Sequence, residues 1–110
     1  MTWRRCCVFV SVVAVSGLSI AEGQEKEPAG KAPYDRVCRV CHGPEAKGNQ
    51  GPALVPFTME VDELLIRVRE GSGEMPPISV NRLSDDEVKE IAAYLKALSS
   101  SHNATDKPAR

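Results

Sequence analysis

At 110 residues, 42% of them hydrophobic and 26% charged, the chain has room for one domain and little more. Its 14 basic side chains face 15 acidic ones, and without Arg4 and Arg5 the balance is 12 against 15, a formal −3. No basic run exists, which argues against nucleic acid and anionic membrane as partners.

The first element in the chain is a targeting signal. Met1–Arg5 carries two arginines, Cys6–Ile20 is an almost unbroken apolar run, and Ser19-Ile20-Ala21 offers small residues where a signal peptidase reads. That order of parts predicts a cleaved secretory signal peptide over residues 1–21 and a periplasmic protein. An uncleaved anchor is the rival reading, but the run is 15 residues and spanning a bilayer takes about 20. No stable membrane insertion is therefore expected after cleavage. Cleavage also removes Cys6 and Cys7, leaving Cys38 and Cys41 as the cysteines of the mature chain.

Residues 22–29 read as a polar, flexible leader. Pro33 suits the first turn of a helix, so a first helix is predicted over Ala32–Val40, ending near Gly43-Pro44. Glu45–Pro56 is a Gly- and Pro-rich loop. Val61, Leu64, Leu65 and Val68 recur at i, i+3, i+4 and i+7, the apolar stripe of a second helix, with Thr58 as a cap and Gly71 as its stop. A second loop, Ser72–Arg82, holds Met75-Pro76-Pro77.

The third helix has the best local signature. Ser84 and Glu87 form an S-x-x-E capping box with Leu83 and Val88 at the staple positions, and Asp85, Asp86 and Glu87 favour the helix start electrostatically. Val88, Ile91, Ala92, Leu95 and Leu98 share one face. Residues 99–110 read as a disordered polar tail. No strand pattern or repeat is present, so the mature domain is predicted to be small and all-α. Its large aromatic side chains are only Tyr34, Phe57 and Tyr94. So thin a core, in so small a domain, needs a staple or a cofactor at its centre.

Cys38-Arg39-Val40-Cys41-His42 supplies the attachment for one. C-x-x-C-H is the c-type haem attachment motif. Residues three and four apart share a helical face, so two thiols can form thioethers with two vinyl groups while His42 addresses the iron. A structural zinc would need about four ligands, and His102 is the only other Cys or His outside the signal. A thioredoxin-like dithiol would sit in a βαβ context, and none is present.

With these motifs in order, the chain resembles the class I cytochromes c, in particular the small bacterial single-haem type. Gly30 and Tyr34 precede Cys38–His42; Gly51-Pro52-Ala53-Leu54, then Met75-Pro76, then an amphipathic helix with Tyr94 and Leu95 follow. The resemblance implies a cytochrome c domain over residues 30–98, with three main helices wrapped round one haem c held through Cys38 and Cys41. It implies His42 as one axial ligand and Met75 as the other, with Met59 as the alternative thioether. It also implies that the Pro52 carbonyl accepts a hydrogen bond from the His42 ring, and that Gly30 and Tyr34 lie where the first and last helices cross. Leu54, Phe57, Leu65, Val68 and Ile78 are candidates for the apolar haem wall, each read first as core.

The implied function is single-electron transfer by Fe(III)/Fe(II) cycling, with no catalytic residue of its own. Methionine opposite histidine raises the reduction potential, which suits a carrier in a respiratory chain. The chain is expected to be a monomer that docks transiently with redox partner proteins, its donor and acceptor unspecified. Two other functions stay open: a bound cytochrome subunit of a periplasmic dehydrogenase or oxidase, and a haem-based gas sensor with a weak Met75 bond. His102 reads as a solvated residue, and the Asn103-Ala104-Thr105 sequon carries little weight alone.

Overall fold

The computed structural model describes Gly23 and residues 26–105. The expected signal peptide, residues 1–21, lies outside the described residues, as does the chain beyond Thr105. Among the described residues four helices make the fold: α1 (Lys31–Val37), α2 (Arg39–His42), α3 (Val61–Glu70) and α4 (Asp85–Thr105), with a short 3-10 turn at Pro44–Ala46. No strand occurs among the described residues, and Ser72 and Met75 form one isolated bridge. The domain is all-α, as its sequence predicts.

The first predicted helix is two short ones with little break between them. Cys38 keeps a helical conformation (φ −95°, ψ −35°). Its N–H donates to the Tyr34 carbonyl at 2.8 Å, and the His42 N–H donates to the Cys38 carbonyl at 3.0 Å. The helical path therefore runs beyond Val40 through the whole Cys38–His42 motif, to the expected end near Gly43-Pro44. It turns away at Gly43, whose φ of 78° precedes Pro44.

α3 stops at Gly71 as expected, but Glu60 rather than Thr58 stands at its N-cap, without a side-chain cap bond. α4 starts with the predicted capping box in place. The Glu87 N–H donates to Ser84 Oγ at 3.2 Å, and the Ser84 N–H donates to Glu87 Oε2 at 2.9 Å. Leu83 and Val88, the staple pair, are both buried.

The helix does not stop at Leu98, where the sequence reading began a disordered tail. It continues to Thr105, and Ser99, on its inner face, is buried. Ser99 Oγ accepts the Phe57 N–H at 2.7 Å and donates to the Leu95 carbonyl at 2.8 Å. The residue thus ties the loop ahead of α3 to the last helix.

Packing follows from two contacts. α1 crosses α4 at Gly30, where a Cβ would overlap the Glu90 carbonyl, so only glycine allows the backbones so close. Tyr34 and Tyr94 meet there with ring centroids 5.6 Å apart and tilted by 58°, an arrangement aromatic pairs favour. Val88, Ile91, Ala92, Tyr94 and Leu95 of α4 are buried against α1, α3 and the loops. Each large aliphatic side chain so buried contributes on the order of 1.5–3 kcal/mol. The helices thereby form a frame around a central cavity.

Candidate functional site

The site is built on the helical path through Cys38–His42. Cys38 and Cys41 are free thiols, both half-buried, and with His42 they line one cavity of about 490 Å³. That volume falls in the range of roughly 300–1,000 Å³ usual for small-molecule and cofactor sites. Burial first, with Cys41 second, pushes the Cys38 thiol up to about 11. Before attachment it is therefore a neutral thiol at ordinary pH.

His42 is buried, and its Nδ1 lies 2.7 Å from the Pro52 carbonyl oxygen. A carbonyl only accepts, so Nδ1 carries the proton and donates it, leaving Nε2 with a lone pair for a metal. This contact orients the ring and raises its basicity as a ligand. The loop that brings Pro52 round is itself fastened to the motif. The Gly48 N–H donates to the His42 carbonyl at 2.7 Å, and the Gly51 N–H donates to the Cys41 carbonyl at 2.7 Å. A Cβ on Gly51 would stand 3.2 Å from the His42 ring, so the glycine is what lets the loop lie against the imidazole. From the other side, Tyr34 Oη donates to the Gly43 carbonyl at 2.7 Å. Burial pushes that phenol up to about 12, which keeps it a donor.

The thioethers of Met75 and Met59 belong to the same cavity lining. Met75 sits in a tight turn: the Ser72 N–H donates to the Met75 carbonyl and the Met75 N–H to the Ser72 carbonyl, both at 3.0 Å. Of the five apolar wall candidates, Leu54, Phe57 and Val68 line the cavity, while Leu65 and Ile78 serve the core alone. The sequence reading missed Leu64, Leu83, Val88, Ile91 and Leu95 as wall residues. Their helical stripes were legible, but a stripe facing a cofactor looks the same as one facing other side chains. Arg67 and Glu74 also reach the lining, and no motif marks them.

A family profile described as cytochrome c oxidase, cbb3-type, subunit III matches residues 25–95. The chain belongs to the cytochrome c family. Over 95 residues it is 33% identical to the 4-cresol dehydrogenase (hydroxylating) cytochrome c subunit of Pseudomonas putida, an alignment covering 83% of this chain and 82% of that one. Over 69 residues it is 32% identical to a cytochrome c-553-like protein of Synechocystis sp. (strain ATCC 27184 / PCC 6803 / Kazusa), covering 63% of this chain and 66% of that one. No solved structure gives a significant match.

As a cytochrome c, the chain is an electron carrier with haem c attached covalently through Cys38 and Cys41. The residues present fit that group: two unpaired thiols, an imidazole whose Nδ1 is held by Pro52 so that Nε2 is left free, and an apolar wall share one cavity. When bound, the haem supplies one-electron Fe(III)/Fe(II) cycling. The surrounding Leu, Val, Ile and Phe side chains exclude water and lower the local dielectric, a lever on reduction potential.

Proposed function

We propose that the chain is a periplasmic single-haem cytochrome that passes single electrons between protein partners, with His42 and Met75 as its axial ligands. The observation that carries this reading is the arrangement of the His42 Nδ1–Pro52 contact, the two thiols and the Met75 side chain around one apolar cavity. His42 and Met75 would both hold the haem iron, which would keep substrates from it and leave electron exchange as its chemistry. Pro52 takes its part through its backbone, by holding the ring nitrogen. Export is supported by the sequence of residues 1–21, and no helix among the described residues is long and apolar enough to cross a membrane.

Met75 is preferred to Met59 because the turn bounded by Ser72 and Met75 fixes its backbone with two hydrogen bonds. Replacing Met75 with Ala is expected to abolish the weak red-end band of methionine–iron bonding in the oxidised protein and to lower the reduction potential. An unchanged band and potential would pass the assignment to Met59 or to no methionine.

A second reading, a cytochrome subunit bound to a dehydrogenase, is favoured by the match to a protein named as such a subunit along most of both chains. Copurification of a dehydrogenase in fixed ratio from the native host would favour it over the diffusible carrier.

A further inference from the structure

The segment between α3 and α4, residues 71–84, carries Met75 and exposes most of its length. Its backbone is pinned near the start, where the Gly71 N–H donates to the Arg67 carbonyl at 2.8 Å, and at Ile78, whose N–H donates to the Val68 carbonyl at 2.8 Å. Beyond Ile78 the residues Ser79–Arg82 are exposed. One side chain gathers the middle and the end of this segment together. Arg69 Nη1 donates to the Ile78 carbonyl at 3.0 Å, and Nη2 donates to the Leu83 carbonyl at 2.9 Å. The same Nη2 pairs with the Asp85 carboxylate at the start of α4. Arg69 is itself mostly covered, with 26% of its side chain exposed.

The chemistry suits this task. A guanidinium is planar, permanently charged and presents several donors in a fixed fork, so it can hold two carbonyls and a carboxylate at once. Bonds from a charged donor are also the strong ones. Val68, the neighbour of Arg69 on α3, lines the cavity. Adjacent residues of one helix thus form the wall and fasten the segment that carries the thioether. Two other side chains reach the far half of the segment: Arg36 donates to the Arg82 carbonyl over an exposed 3.4 Å, and the Glu87 carboxylate accepts the Ser84 N–H at 2.9 Å in the α4 cap, at the segment's last residue.

We propose that Arg69 is a positioning residue for Met75: by clamping Ile78, Leu83 and Asp85 it holds the Met75 segment closed on the cavity, and so sets how readily an outside ligand displaces the thioether. This rests on Met75 being an axial ligand.

The test uses covalently loaded holoprotein and three readouts: the methionine–iron band of the oxidised form, the rate of carbon monoxide binding by the reduced form, and the potential. Met75→Ala comes first. If that variant keeps the band, the ligand assignment and the brace fall together. If it loses the band, the assignment stands and Arg69 is tested separately. Arg69→Ala is expected to weaken the band, to lower the potential and to bind carbon monoxide about tenfold or more faster. Arg69→Lys keeps the charge but not the fork, so it is expected to fall between Ala and wild type. Lys89→Ala, which removes an exposed pair with Asp86 on α4 away from the cavity and the segment, is expected to leave all three readouts as in wild type. A wild-type band and carbon monoxide rate in either Arg69 variant would overturn the brace while leaving Met75 in place. Should Arg69→Ala yield no holoprotein, Arg69→Lys decides by the same readouts.

Discussion

At His42 the two ring nitrogens have separate tasks. Nδ1 is held by the Pro52 carbonyl at 2.7 Å, which stops the ring from turning and leaves Nε2 with the lone pair that the proposed iron bond would use. The residue types were legible in Cys38–His42, because thioether chemistry and ligation demand two thiols and an imidazole on one face. The acceptor was less so: a backbone carbonyl has no residue signature, and Pro52 entered the reading only through family resemblance. Ser99 escaped it altogether, since a serine at the start of a polar run looks like tail. Its hydroxyl instead satisfies the buried Phe57 N–H. Ser99→Ala would leave that donor unpaired, with an expected loss of about 1–3 kcal/mol of stability. A denaturant titration of the holoprotein checks this; an unchanged midpoint would mean that water or another acceptor replaces the hydroxyl.

Among the elements, α4 was the most legible at its start and the least at its end. The capping box, the acidic first turn and the apolar stripe all act locally, so short-range sequence suffices to specify them. Its extension to Thr105 has no such marker, because Ser100, Ser101 and Thr105 return their hydroxyls to carbonyls one turn back and hide in the helix they weaken elsewhere. The first helix ends near Gly43-Pro44 as expected, because Gly43 and the proline after it mark the stop, while its break into two short pieces at Cys38 has no sequence marker. Glu87 makes the α4 start testable by pH. Its hydrogen bond to Arg36, and secondarily the backbone of Ser84, hold its carboxyl below the usual glutamate range. The folded-state value is depressed, so the stabilisation is fully present above the unfolded value and disappears as pH falls through the folded one. The thermal midpoint of wild type should therefore exceed that of Glu87→Gln above about pH 5, with the gap closing below about pH 4. A gap independent of pH would remove charge from the explanation.

For the whole molecule, the thin aromatic content and the C-x-x-C-H motif foretold a domain organised round a cofactor, and the central cavity is where the helices leave room for it. Which aliphatic side chains would form the wall was not legible, since that depends on how α3, α4 and the Met75 segment meet rather than on any one stripe. The brace from Arg69 is of the same kind: three acceptors from residues 78, 83 and 85 converge on it only in three dimensions. The proposed electron carrier, with His42 and Met75 both holding the iron, is tested most directly by a spectroelectrochemical titration of the purified holoprotein, repeated under carbon monoxide. The expected result is a single one-electron wave, at a potential unmoved by carbon monoxide. A wave displaced strongly upward by carbon monoxide would contradict the proposal and point to an open iron built for binding gas.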